Sequence, residues 1–119
     1  MVLLVCFEKG DSHETIKKSA EKIQKLRIFT DEETGKMNKG ITEIGGAFLA
    51  ISQFTLSWSG TKGNRPSFDN SMEPNLAEEY FNLFCIELEK TAKVEKGAFG
   101  KSMDVRIRND GPVTFSLDF

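Results

Sequence analysis

Histidine occurs once in this chain of 119 residues, cysteine twice, and no apolar run approaches the roughly 20 residues that a membrane span requires. Each scarcity excludes a class of chemistry. His13 sits among Asp11, Ser12 and Glu14 with no second histidine or paired cysteine nearby, so no metal is expected. The same scarcity leaves a Ser/Thr-His-Asp triad without a ready base. Two cysteines do not make a disulfide framework. Cys6 reads into an apolar first strand and Cys85 onto an apolar helix face, where a thiol behaves as a small hydrophobe, and a reducing cytoplasm fits both. The opening Met1-Val2-Leu3-Leu4-Val5-Cys6-Phe7 lacks a basic leading region and a small-residue cleavage site before Glu8 and Lys9, so it reads as a strand rather than a signal peptide. There is no internal repeat and no low-complexity tract.

What remains is globular in composition, with 39% hydrophobic and 29% charged residues. A chain of this size is most simply one domain over residues 1–119, burying roughly two thirds of its unfolded surface. Its net charge of −2 argues against indiscriminate coating of nucleic acid. Lys36, Lys39, Lys62, Arg65, Lys101, Arg106 and Arg108 nevertheless fall in or beside loops, where they form a candidate phosphate-binding rim. On composition alone, ordinary solvated lysines are the better account of that pattern.

Residues 1–7 read as a buried strand because they are continuous and apolar. A helix follows, capped by Asp11 or Ser12, with Ile16, Ala20, Ile23 and Leu26 at helical spacing and Lys17, Lys18, Lys22 and Lys25 on a solvated face. Asp31 to Gly40 has a turn composition and reads as a loop or a weak hairpin. Gly45-Gly46 introduces a second buried strand, Ala47 to Ile51. Ser57 to Ser71 is too long and polar for a simple turn and reads as a functional loop. Pro74 suits the first turn of a second helix whose inner face carries Ala77, Tyr80, Phe81, Phe84 and Leu88. After a short strand from Val94 the period becomes two. Met103, Val105 and Ile107, then Val113, Phe115 and Leu117, alternate with polar residues, which predicts two strands joined across Asn109-Asp110-Gly111. The expected fold is α/β, in the order βαβα followed by two or three strands, with a mixed sheet and helices on one face.

Two segments carry the candidate chemistry. Ser52-Gln53-Phe54-Thr55-Leu56 arrives at the carboxyl end of the second strand, where open α/β sheets bind ligands. A threonine there is ordinarily a β-former whose hydroxyl meets water, and no side chain nearby in sequence offers a general base. The backbone N–H groups of Gln53, Phe54 and Thr55 are the alternative, since donors aimed at a developing oxyanion contribute about 3 to 4 kcal/mol each. The second segment, Asn109-Asp110-Gly111-Pro112-Val113-Thr114, has the composition of a turn. Phe54, Phe99 and Phe115 read as core packing.

These two segments, with Gly63-Asn64-Arg65-Pro66-Ser67-Phe68 between them, resemble the signature of the D-aminoacyl-tRNA deacylase family. The resemblance covers nearly the whole chain. It implies a three-layer arrangement of mixed sheet or barrel with two helices, a cytoplasmic homodimer without cofactor, and hydrolysis of D-aminoacyl-tRNA, with glycyl-tRNA as a further substrate. It assigns catalysis to Ser52, Gln53, Phe54 and Thr55, with the ribose 2′-hydroxyl of the substrate assisting. Thr55 matches the residue once proposed as the family's nucleophile, and a positioning role fits it better. Gly111-Pro112 would be cis and project into the partner subunit's site, rejecting L-aminoacyl groups, with Val113, Thr114, Asn109, Phe99, Met103 and Arg65 around the substrate. Arg65 and Lys62 are candidates for phosphate or adenosine contact. Family members carry a strand pair ahead of the segment matching Met1 to Val5, and one strand supplies an arginine behind the Gly-Pro element. This chain is expected to start after that pair, leaving a sheet edge or core face uncovered. A tRNA- or nucleotide-binding module, or an inactive shortened relative, is the alternative.

Overall fold

The structure is a computed structural model that describes residues 1–60 and 63–119. Three parallel strands form its main sheet in the order β1-β4-β5. β1 (Val2–Val5) pairs with β4 (Phe48–Ser52) in a register that sets Val2 beside Leu49 and Val5 beside Ser52, and β5 (Val94–Lys96) flanks β4 on its other side. A separate antiparallel pair, β2 (Phe29–Thr30) and β3 (Met37–Lys39), is the weak hairpin read from the Asp31 to Gly40 composition.

Helix α1 (His13–Gln24) starts at Ser12, whose hydroxyl accepts from the Thr15 N–H while the Thr15 hydroxyl accepts from the Ser12 N–H. This reciprocal cap satisfies donors that the first turn leaves open. α1 buries Ile16, Ala20 and Ile23, and α2 (Pro74–Glu89) buries Ala77, Tyr80, Phe81, Phe84, Cys85 and Leu88. The two helices pack together, and Gln24 Nε2 donates to the Glu87 carbonyl at 2.6 Å across their contact. Phe48 and Ala50 of β4 complete the core from below, with Phe7 set edge-on against both Tyr80 and Phe84.

Three expectations need correction. β1 is not buried on both faces: Leu3 and Val5 turn toward the core, whereas Val2 and Leu4 are exposed, and Cys6 lies just beyond the strand end. Parallel sheets normally have both faces covered. The alternating segments after Gly100 also form no strands, and Met103, Val105, Ile107, Phe115 and Leu117 are all exposed. Alternation reports which side chains would share a face, but a strand exists only where a neighbour accepts its ladder bonds. Phe54 and Phe115 are likewise exposed rather than in the core, while Phe99 packs on it beside Phe81.

Phe84 is 2% exposed at the centre of this packing. Truncating it to alanine removes its ring and leaves a cavity, with an expected cost of about 3–5 kcal/mol. Urea unfolding of Phe84→Ala should show the midpoint fall with an unchanged slope. A change under 1 kcal/mol would refute this account of the core.

Candidate active site

The parallel sheet places three strand ends at one edge, and the polar Ser52 segment begins there. The Gln53 N–H donates to the Val5 carbonyl at 2.7 Å, carrying the ladder one residue past β4. The chain then tightens into a single 3₁₀ turn, Phe54–Ser57. Its first internal bonds run from the Leu56 N–H to the Gln53 carbonyl and from the Trp58 N–H to the Thr55 carbonyl, each 3.2 Å. The amides of Phe54 and Thr55 precede those bonds and have no partner among the described residues, as a turn's first donors do. Of the three amides proposed as donors, Gln53 is therefore committed to the sheet, and Phe54 and Thr55 remain open.

Side chains hold the turn from both sides. Gln53 Nε2 donates to Thr55 Oγ1 at 2.5 Å, and Ser57 Oγ donates to the Phe54 carbonyl at 2.8 Å. Cys6 Sγ lies 3.6 Å from that same carbonyl, linking the end of β1 to the turn. The Phe54 ring, 57% exposed, meets Phe68 edge-on at 4.9 Å, which ties the turn to the polar loop. Met103 reaches the same sheet edge. Its sulfur accepts the Ala98 N–H at 3.3 Å and lies where a side chain on Gly97 would collide with it, beside Ile51.

The Asn109 segment is a self-contained exposed loop. Asn109 Oδ1 accepts from the Val113 N–H at 3.0 Å, and its Nδ2 donates to Thr114 Oγ1 at 2.8 Å. The Gly111-Pro112 bond is cis. Gly111 has φ of +130°, and a Cβ there would sit 2.8 Å from Val113 Cγ2, so only glycine fits. Arg65 is exposed, and Lys62 lies outside the described residues. His13 packs on Tyr80 at the start of α1 and takes no part in the turn's hydrogen bonds. Among the described residues no group of three or more His, Cys, Asp or Glu is placed to hold a metal ion, and no helix is long and apolar enough to cross a membrane.

Several participants were not read from the sequence. Cys6, Ser57 and Phe68 become neighbours of the turn only through the parallel pairing and the return of the polar loop along β1's continuation, where Glu8 and Ser71 form a bridge. Beside the turn lies a groove of about 720 Å³ whose walls include Glu8, Leu56, Trp58, Asp69, Asn70 and Asp118.

At this edge of the parallel sheet the turn therefore presents two amides, those of Phe54 and Thr55, that are open among the described residues. The family model described as D-Tyr-tRNA(Tyr) deacylase matches residues 1–118. The chain is 47% identical to a D-aminoacyl-tRNA deacylase of Lactobacillus helveticus and 48% identical to one of Teredinibacter turnerae, in each case over 99% of this chain and 81% of the relative. Among solved structures it resembles the c-Myc DNA unwinding element binding protein, with a TM-score of 0.87 and 35% identity over 94% of this chain and 76% of that one. A probable eukaryotic D-amino acid tRNA deacylase shares the fold, with a TM-score of 0.70 and 17% identity over 88% of this chain and 77% of that one. The chain belongs to the D-Tyr-tRNA(Tyr) deacylase family.

The two thiols differ in a way that can be measured. Burial raises Cys85 to about 11. Cys6 is also raised, first by burial and then by the Glu8 carboxylate, against hydrogen bonds with Ser57 and Ser71. The thiolate is the reactive form, so a raised pKa lowers reactivity at fixed pH, and reactivity climbs as pH rises. At pH 8 a chromogenic disulfide reagent should label native Cys6 more slowly than free cysteine and leave Cys85 untouched until the protein unfolds. Rapid native labelling in a Cys6→Ser variant would contradict this placement of Cys85.

Proposed function

We propose that residues 1–119 act as one domain that hydrolyses the ester bond of D-aminoacyl-tRNA, and of glycyl-tRNA, in the cytoplasm. The observation that carries this reading is the pair of open amides on Phe54 and Thr55 at the carboxyl edge of the sheet, in a chain of this family. Attack on the ester carbonyl builds negative charge on its oxygen. The two N–H groups are the donors for that charge, contributing about 3–4 kcal/mol each. Ser52 ends the strand, Gln53 orients Thr55 through its side-chain amide, and Thr55 positions the aminoacyl group rather than attacking it. The ribose 2′-hydroxyl beside the ester assists the attack, which supplies what the missing base does not. No cofactor or metal is required.

Chirality is read by the loop at Gly111-Pro112, supplied from a second copy of the chain and held in shape by Asn109, Val113 and Thr114. Its backbone occupies the space an L side chain would need, which is specificity by rejection. Phe99 supports the edge of the sheet from the core, Met103 lies against it, and exposed Arg65 is assigned to contact with phosphate or adenosine. The homodimer is supported by the uncovered apolar faces: Val2 and Leu4 on one side of the sheet, with Met103, Val105, Ile107, Phe115 and Leu117 along the segments after Gly100. Light scattering should give twice the chain mass, and a fully active monomer would refute the shared site.

Hydrolysis of both enantiomers of one aminoacyl-tRNA tests the activity. The D form should be cleaved and the L form spared. Thr55→Ala should lose far less than the roughly 10⁶-fold that follows removal of a covalent nucleophile. A loss of that size would overturn the backbone assignment. In Gly111→Ala the loop cannot keep its positive φ without collision, so the D-to-L rate ratio should collapse or activity should vanish. A variant that keeps both rate and preference would place chiral recognition elsewhere.

A further inference from the structure

The groove beside the 3₁₀ turn has features that ester hydrolysis alone does not use. Trp58, the chain's single tryptophan, stands 43% exposed in its wall, and among the described residues no aromatic ring pairs with it. Leu56, 53% exposed in the same wall, joins the indole in one apolar surface, and it is such a joined surface rather than a lone exposed ring that marks a binding face. The backbone N–H of Trp58 donates to the Thr55 carbonyl at 3.2 Å and closes the turn that carries Thr55, which sets the base of the side chain next to that turn.

The remaining walls narrow the ligand chemistry. Leu56 adds apolar surface, while Glu8, Asp69 and Asp118 bring three carboxylates into one groove. Carboxylates repel a phosphate and accept hydrogen bonds from amino groups, as Asp and Glu do from the exocyclic amino group of cytosine. Asn70 donates through Nδ2 to Glu8 Oε2, so the Glu8 carboxylate is held in place. Lys9, whose ammonium donates to the Asp69 carbonyl, sets a cation beside the acidic wall. An aromatic face with amino-group acceptors suits a nucleobase, with its phosphates directed outward.

We propose that this groove is a nucleobase subsite in which Trp58 stacks the cytosine preceding the terminal adenosine of a tRNA, and the groove's carboxylates accept from that base's amino group. The proposal deepens the deacylase reading and rests on its substrate being a tRNA, whose 3′ end is a single strand ending in C-C-A. Base-aromatic stacking supplies affinity on single strands at a scale that corresponds to about tenfold or more per base. The subsite therefore separates a whole tRNA from an aminoacyl-adenosine that lacks the neighbouring base.

Two measurements test it. A single tryptophan makes the first direct: titrating the protein with the trinucleotide CCA should quench its fluorescence, and UUA, which offers a carbonyl in place of each cytosine amino group, should bind several-fold more weakly. No quenching, or equal binding of the two, overturns the subsite. The second compares KM for D-aminoacyl-tRNA with KM for the same D-aminoacyl-adenosine. Trp58→Ala should raise the tRNA-to-adenosine ratio about tenfold, and Trp58→Phe, which restores a stacking face, should recover most of it. An unchanged ratio in Trp58→Ala sinks the proposal. Failure of the parent to cleave either substrate would instead refute the deacylase reading, and the trinucleotide titration would still decide the subsite.

Discussion

The parallel register of β1 on β4 is the constraint on which the rest of the site depends. It sets Val5 beside Ser52 and lets the Val5 carbonyl take the Gln53 N–H as a final ladder bond. With Gln53 so held, the chain leaves the sheet at one defined residue and turns at once, exposing the next two amides. A slip of one position would exchange the inner Leu3 and Val5 for the outer Val2 and Leu4, so burial fixes the register that aims those amides. The core residues and the edge that carries the turn are therefore set by one alignment.

At the turn the open groups belong to the backbone, and the side chains around it are bonded to the turn itself. Phe54 and Thr55 contribute open N–H groups, while the surrounding side chains mainly hold those groups still. Ser57 and Cys6 converge on the Phe54 carbonyl, Gln53 grips the Thr55 hydroxyl, and Phe68 meets the Phe54 ring. In the proposed mechanism such a turn acts through its backbone and needs no titrating residue of its own. Its preorganisation comes from a short turn bonded on both flanks, which costs little to keep in place during reaction.

Much of this was readable from residue order. Pro74 starts α2, Ser12 caps α1, and the polar run after Ile51 marks the end of a strand, because each depends on local chemistry that neighbouring residues carry. Exposure was harder. Phe54 and Phe115 have core composition yet face water, and the alternation from Met103 to Leu117 implied strands that do not form among the described residues. Those outcomes depend on what lies across a face rather than along the chain. The contacts of Cys6, Ser57 and Phe68 with the turn were illegible for the same reason, since no spacing records the partner brought by a parallel pairing or a returning loop.

The same architecture says something about how the chain reaches this state. Its first sheet contact joins the Met1 amino group to the Ala47 carbonyl, 46 residues away, and Gln24 meets Glu87 across 63 residues. Each such contact demands that a long segment close before any bond rewards it, and the entropy of closure grows only slowly with length once that price is met. α1 and α2 can form early as local helices, but the strand ends that build the site must wait for the chain to fold back on itself. The sheet edge therefore forms only after the non-local strand pairing is in place, which is slower than the local helix formation that precedes it.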